Sequence, residues 1–163
     1  MTISRLNHAV LYVRDARRHE AFYQSVLEFE TMIADPGGAY VFMRAPGAVG
    51  CTDNHHDIAF FTIGPDAGST TAGAGYVGLY HIAWEVPTLE ALAEMEARLK
   101  ESGALVGKSD HGTNKSLYAK DPDGLEFEVM WLVPSKHWGS AAHEAIIDPL
   151  DIDAERLRFE ALN

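Results

Sequence analysis

The chain holds one cysteine, Cys51, in 163 residues. No internal disulfide can form, so packing alone must hold the fold, and a reducing compartment is expected. Basic residues are scarce: 13 Lys and Arg stand against 24 Asp and Glu, a formal net charge of −11. No basic cluster offsets that surplus, which argues against nucleic acid and anionic membrane as partners. No apolar run reaches membrane length, and Met1-Thr2-Ile3-Ser4-Arg5 leads into a strand without the apolar stretch of a signal peptide. A cytoplasmic protein is expected. Its 47% hydrophobic content suffices for one domain or two small fused halves and leaves no room for a second large domain.

The most informative stretch is Asp110 to Trp131. Ser116 to Lys120 reads as a short strand, Asp121-Pro122-Asp123-Gly124 as a tight turn, and Leu125 to Trp131 as the returning strand. Alternation puts Glu126, Glu128 and Met130 on one face and Phe127, Val129 and Trp131 on the other. A carboxylate in mid-strand, beside a hairpin partner bearing His111 and Tyr118, suits a core poorly unless it binds a cation or a proton.

The rest of the chain reads as two similar halves. Arg5 to Val13 is a strand; Asp15 caps a helix to about Leu27, with Phe22, Val26 and Leu27 on its apolar stripe. Residues 27–33 and 39–43 pair around Asp35-Pro36-Gly37-Gly38, and His55 to Ile63 is a further strand. Gly64 to Gly78 has the composition of a linker. Then the order repeats: strand Leu79 to Val86, a helix opened by Pro87-Thr88 with Leu89, Leu92, Met95 and Leu99 on one stripe and Gly103 at its end, strand Ala104 to Val106, and the hairpin.

Leu6-Asn7-His8-Ala9 aligns on Leu79-Tyr80-His81-Ile82 at an offset of 81 − 8 = 73, an internal repeat with a histidine in each first strand. The same offset carries Glu128 to position 55, beside His55-His56. The expected organisation is a domain over 1–132, with a first module at about 4–63, the linker at 64–78 and a second module at about 79–132. Residues 133–163 form an acidic extension with a short helix from Ala154 to Leu162, read as a strap.

A lone histidine in a strand is more often structural than a ligand. His8, His81 and Glu128 together are different: two imidazoles and one carboxylate suit a divalent ion of the iron, manganese, zinc, nickel or cobalt group and leave positions open on one side. Glu126 shares the face of Glu128, and pattern alone does not choose between them. His55 adjoins His56 on the opposite strand face, and a register shift of one would exchange them. His19, His137 and His143 have no such company and are expected at the surface. Phe42, Met43, Trp84, Met130 and Trp131 could line a cleft, although each suits the core as well.

Asp121-Pro122-Asp123-Gly124, with an acid four residues past the glycine, resembles the signature of the vicinal oxygen chelate superfamily over residues 4–132. The resemblance implies an α+β fold of two tandem βαβββ modules forming a curved mixed sheet around a metal cleft, with His8, His81 and Glu128 as metal ligands. His56-Asp57-Ile58-Ala59-Phe60, His111, and Tyr118 ten residues before Glu128 resemble the single-domain extradiol ring-cleaving dioxygenases similar to catechol 2,3-dioxygenase. That likeness implies Fe(II), with Mn(II) the alternative, an aromatic diol and O2 as substrates, ring opening beside the two hydroxyls, His56, His111 and Tyr118 as catalytic residues, and a homo-oligomer, dimer or higher. The turn departs in carrying Leu125 where Gly-Asn is frequent. The rivals are a metal-dependent isomerase or lyase of the glyoxalase or epimerase kind, with His55 as a fourth group, and a non-catalytic binding or resistance protein.

Overall fold

The computed structural model describes residues 2–47 and 54–161, so Cys51 and the end of the expected tail helix, Leu162, lie outside the described residues. Contacts divide the chain into two units, Met1–Thr70 and Thr71–Asn163.

In the first unit the elements are β1 (Ala9–Val13), α1 (Ala16–Leu27), β2 (Glu30–Ala34), β3 (Tyr40–Arg44) and β4 (Ile58–Thr62), and the sheet order is β1-β4-β3-β2. Asp15 caps α1 as its spacing predicts, accepting from the amides of Arg17 and Arg18. The chain leaves that helix through Glu28 in the left-handed region at φ 60°, which lets Phe29 turn back under Tyr23, at 5.3 Å between rings. The apolar face of α1 packs on Val41, Met43, Ile58 and Phe60, all buried.

His19 corrects an expectation. It is fully buried rather than at the surface, because its place on α1 is one turn before Tyr23 on the inner stripe, against Phe60 at 5.0 Å. The flanking strands are also shorter than their residues suggest. β1 begins at Ala9 and β4 at Ile58, so His8, His55 and His56 sit on the segments that lead into strands, and strand alternation does not separate His55 from His56.

In the second unit the elements are β5 (His81–Val86), α2 (Leu89–Glu101), β6 (Leu105–Asp110), β7 (Asn114–Lys120), β8 (Glu126–Leu132), β9 (Asp148–Pro149) and α3 (Ile152–Glu160), with sheet order β5-β8-β7-β6-β9. Thr88 caps α2 by accepting from the Ala91 amide at 3.0 Å, and Leu89, Leu92 and Leu99 are buried beneath it. The hairpin forms as expected: Asp121 Oδ1 accepts from the amides of Asp123 and Leu125, both at 2.9 Å, and Gly124 takes φ +82°. Phe127 and Val129 are buried on the helix side.

The registers refine the repeat. Ala9 pairs in parallel with Ile58 as Ile82 pairs with Phe127, so the offset is 82 − 9 = 73 at the first strands and 127 − 58 = 69 at the last. Glu128 therefore corresponds to Ala59, since 128 − 69 = 59, and not to position 55. The first module repeats the histidine but carries no acid at the matching place.

The extension docks on its own unit. Two 3-10 turns, β9 on the edge of β6, and α3 capped by Asp151 make it part of the second unit. Its helix starts at Ile152, two residues before the expected Ala154. Trp131 meets Phe159 at 5.0 Å, and His137 is half-buried against the same ring at 5.6 Å, whereas His143 is exposed. No helix among the described residues is long and apolar enough to cross a membrane.

Candidate metal centre

In the first unit, His8 and His56 come together, with ring centroids 4.5 Å apart. The lead-in segments that carry them are tied by Asn54, which is buried. Its Nδ2 donates to the Asn7 carbonyl at 2.8 Å and to Asp57 Oδ1 at 2.9 Å, while its Oδ1 accepts from Asn7 Nδ2 at 2.9 Å. His8 Nδ1 lies 2.8 Å from Asn7 Oδ1, an oxygen that can only accept. The neutral ring thus carries its proton on Nδ1 and leaves the Nε2 lone pair for a metal ion, the arrangement usual in histidine ligands.

His56 stands edge-on to Phe42 at 4.9 Å, and its Nδ1 is 3.1 Å from Nδ1 of exposed His55. Burial first, then the neighbouring His8 and His55, hold the His56 pKa below the ordinary 6.5, against an opposing pull from Asp57. The ring is therefore neutral at neutral pH and free to accept a proton. Phe42 belongs to this face and not to the core, while Met43, on the other side of β3, is fully buried.

In the second unit, His81 and Glu128 come together: Nε2 and Oε2 are 3.1 Å apart, with only 9% of the Glu128 side chain exposed. The parallel register sets Ala83 opposite Glu128, so His81 reaches it along the diagonal of the same face. His81 Nδ1 is buried without a hydrogen-bond partner among the described residues. A ring nitrogen and a carboxylate oxygen this close need a positive centre, either a proton or a cation. Their spacing matches two neighbouring ligand atoms about 2.1 Å from one ion, which lie about 3 Å apart. The donors fit a divalent metal.

Glu126 is engaged elsewhere. Its charge is the main reason the Tyr80 pKa is raised. The other oxygen of Glu128 is met by Asn114, whose Nδ2 donates to Oε1 at 3.4 Å and to Ser116 Oγ at 2.6 Å. Spacing on β7 could have revealed Asn114 and Ser116, since both alternate onto the face of Tyr118; Tyr80 and Asn54 left no such signal.

His111 and Tyr118 also come together, with Nε2 and the hydroxyl 2.8 Å apart. Tyr118 sits directly across from Glu128 in the antiparallel register. Burial, then the Glu128 charge, push its hydroxyl above the ordinary range, and so it stays protonated. Among the described residues, no group of three or more His, Cys, Asp or Glu side chains is placed to hold a metal ion.

This fold and these residues define a class. Residues 5–129 match the Glyoxalase/Bleomycin resistance protein/Dioxygenase superfamily, and the chain belongs to that family. It is 27% identical over 133 residues to a catechol-2,3-dioxygenase of Bacillus subtilis, covering 82% of this chain and 43% of the relative. It is 33% identical over 134 residues to biphenyl-2,3-diol 1,2-dioxygenase 3 of Rhodococcus globerulus, covering 79% of this chain and 64% of the relative. The chain thus spans less than two thirds of either relative. A solved glyoxylase/bleomycin resistance protein/dioxygenase domain from Frankia sp. EAN1pec superposes with a TM-score of 0.66 at 20% identity, covering 85% of this chain and 98% of that one, and so shares the fold.

Proposed function

We propose that the protein is an extradiol dioxygenase, inserting both atoms of O2 into a catechol-type aromatic diol. The observation that carries this reading is the His111–Tyr118 hydrogen bond on the sheet face that also holds the His81–Glu128 pair. The family alone does not fix the reaction, since its description spans glyoxalases and resistance proteins as well. An isomerase or a simple binder has no need of a hydrogen-bonded histidine and tyrosine beside the metal donors. A dioxygenase has: a diol must lose protons to chelate and regain one as its ring opens.

In this reading His8, His81 and Glu128 hold Fe(II), or Mn(II) in its place, as two neutral nitrogen donors and one anion. The bound ion would supply a common template on which diol and O2 meet, removing the entropy of their encounter. Tyr118 and His111 orient the substrate hydroxyl and exchange its proton. His56, neutral and exposed on one side to the face of Phe42, accepts and returns a proton on the oxygen side. Asn114 holds the Glu128 carboxylate in line.

Turnover of a catechol under 18O2, followed by mass analysis, tests the reading. A ring-opened product carrying two labelled oxygens supports it; metal uptake with no labelled product would favour the isomerase.

A further inference from the structure

His111 is the one residue of the candidate site whose second nitrogen is committed to the C-terminal extension. Its Nδ1 lies 2.7 Å from the carbonyl oxygen of Ile146. A carbonyl cannot donate, so Nδ1 must carry a hydrogen. In the neutral ring that leaves Nε2 without one, and Nε2 is the atom 2.8 Å from the Tyr118 hydroxyl.

The segment carrying Ile146 is held in place by independent anchors. β9 pairs with the edge of β6, Ser109 to Pro149 and Asp110 to Asp148. Gly112, at φ +74°, lets the chain approach so closely that a Cβ there would lie 2.5 Å from Ala141 Cβ and 3.1 Å from Ile146 Cδ1. Lys115, 1% exposed, reaches from β7 to Asp110 and, at 2.9 Å, to Glu155 on α3. A fully buried lysine ties the extension to the strand that bears Tyr118.

We infer that the extension is a working part of the site: the Ile146 carbonyl fixes His111 as its Nδ1–H tautomer, so that Nε2 accepts from the Tyr118 hydroxyl. The consequence for chemistry rests on the dioxygenase reading. With its own proton directed to His111, the Tyr118 oxygen offers lone pairs to a substrate hydroxyl. As that hydroxyl gives its proton to Tyr118, the Tyr118 proton passes to Nε2, and the resulting imidazolium keeps its Nδ1–H on Ile146. Reversal of the same two transfers returns the proton to the leaving oxygen. Ile146 is thus a positioning residue, acting through its backbone.

Long-range 1H–15N spectra of the full-length chain, labelled in its histidine rings and recorded without metal above the histidine titration range, test this directly. His111→Asn assigns the signals. His111 is expected as a single Nδ1–H tautomer; an Nε2–H ring, or one averaging between tautomers, would overturn the inference. Ala141→Leu enlarges the residue pressed against Gly112 without changing the His111 loop, and is expected to shift both ring nitrogens toward the averaged position. A ring that stays locked while the amide signals of residues 141–148 show the segment displaced would equally overturn it. Because neither spectrum needs iron or substrate, a failure of oxygen incorporation removes the dioxygenase reading and leaves the tautomer result to decide this one.

Discussion

At the scale of single residues, the site divides into donors and the groups that hold them. Asn114 is of the second kind: its contact with Glu128 Oε1 leaves Oε2 turned to His81. Asn114→Ala is expected to weaken metal affinity by about 10- to 100-fold while the fold persists, as read by titration with Mn(II) or Fe(II). His56 is of neither kind, since its neighbours are rings and it is held neutral. His56→Ala should keep the metal and lose turnover by about 100-fold or more, measured as oxygen uptake beside metal content; unchanged uptake would remove its role. Of the residues named from the sequence, Glu128 and Glu126 shared a face and could not be told apart by alternation. What separates them is the diagonal reach of His81 to Glu128, a pairing across strands that one-dimensional spacing does not carry.

At the scale of elements, caps, turns and helical stripes are legible because each is decided by residues close in the chain. Asp15, Thr88 and the Asp121-Pro122-Asp123-Gly124 turn behave as their chemistry dictates. Of the extension only the helix was legible, from the acidic residues before it; β9 is two residues long, and the docking depends on long-range partners, Lys115 above all. Lys115→Met would remove the buried cation that Asp110 and Glu155 share, leaving Glu155 only Arg158, and should cost about 3 kcal/mol in urea unfolding. Asp110 also makes this docking sensitive to acid. Burial would raise its carboxyl pKa, but the Lys115 hydrogen bond, the Gly112 amide and the Lys115 and Arg158 charges outweigh it and hold the value below 3.8. A carboxyl depressed by folding adds stability that is complete above 3.8 and lost as pH falls through its lowered value. Asp110→Asn should therefore lower stability at neutral pH and flatten its dependence below about pH 4, followed by far-ultraviolet circular dichroism during acid titration.

At the scale of the molecule, the two modules repeat a backbone without repeating its chemistry. The offset falls from 73 to 69, and Ala59 stands where the second module has Glu128, so the first module offers His8 alone and the second offers His81 with an acid. In the proposed centre, two neutral nitrogens and a single anion would leave a divalent ion with net positive charge, suited to an anionic diol, in a chain whose own charge of −11 would otherwise repel one. The proposed function requires His8, His81 and Glu128 to serve one ion. Metal content per chain after anaerobic reconstitution with Fe(II) measures this most directly, in the wild type and in His8→Ala, His81→Ala, Glu128→Ala and Glu126→Ala. One iron per wild-type chain, lost in the first three variants and kept in Glu126→Ala, is the expected result; iron retained in full by His8→Ala, or absent from the wild type, would contradict it.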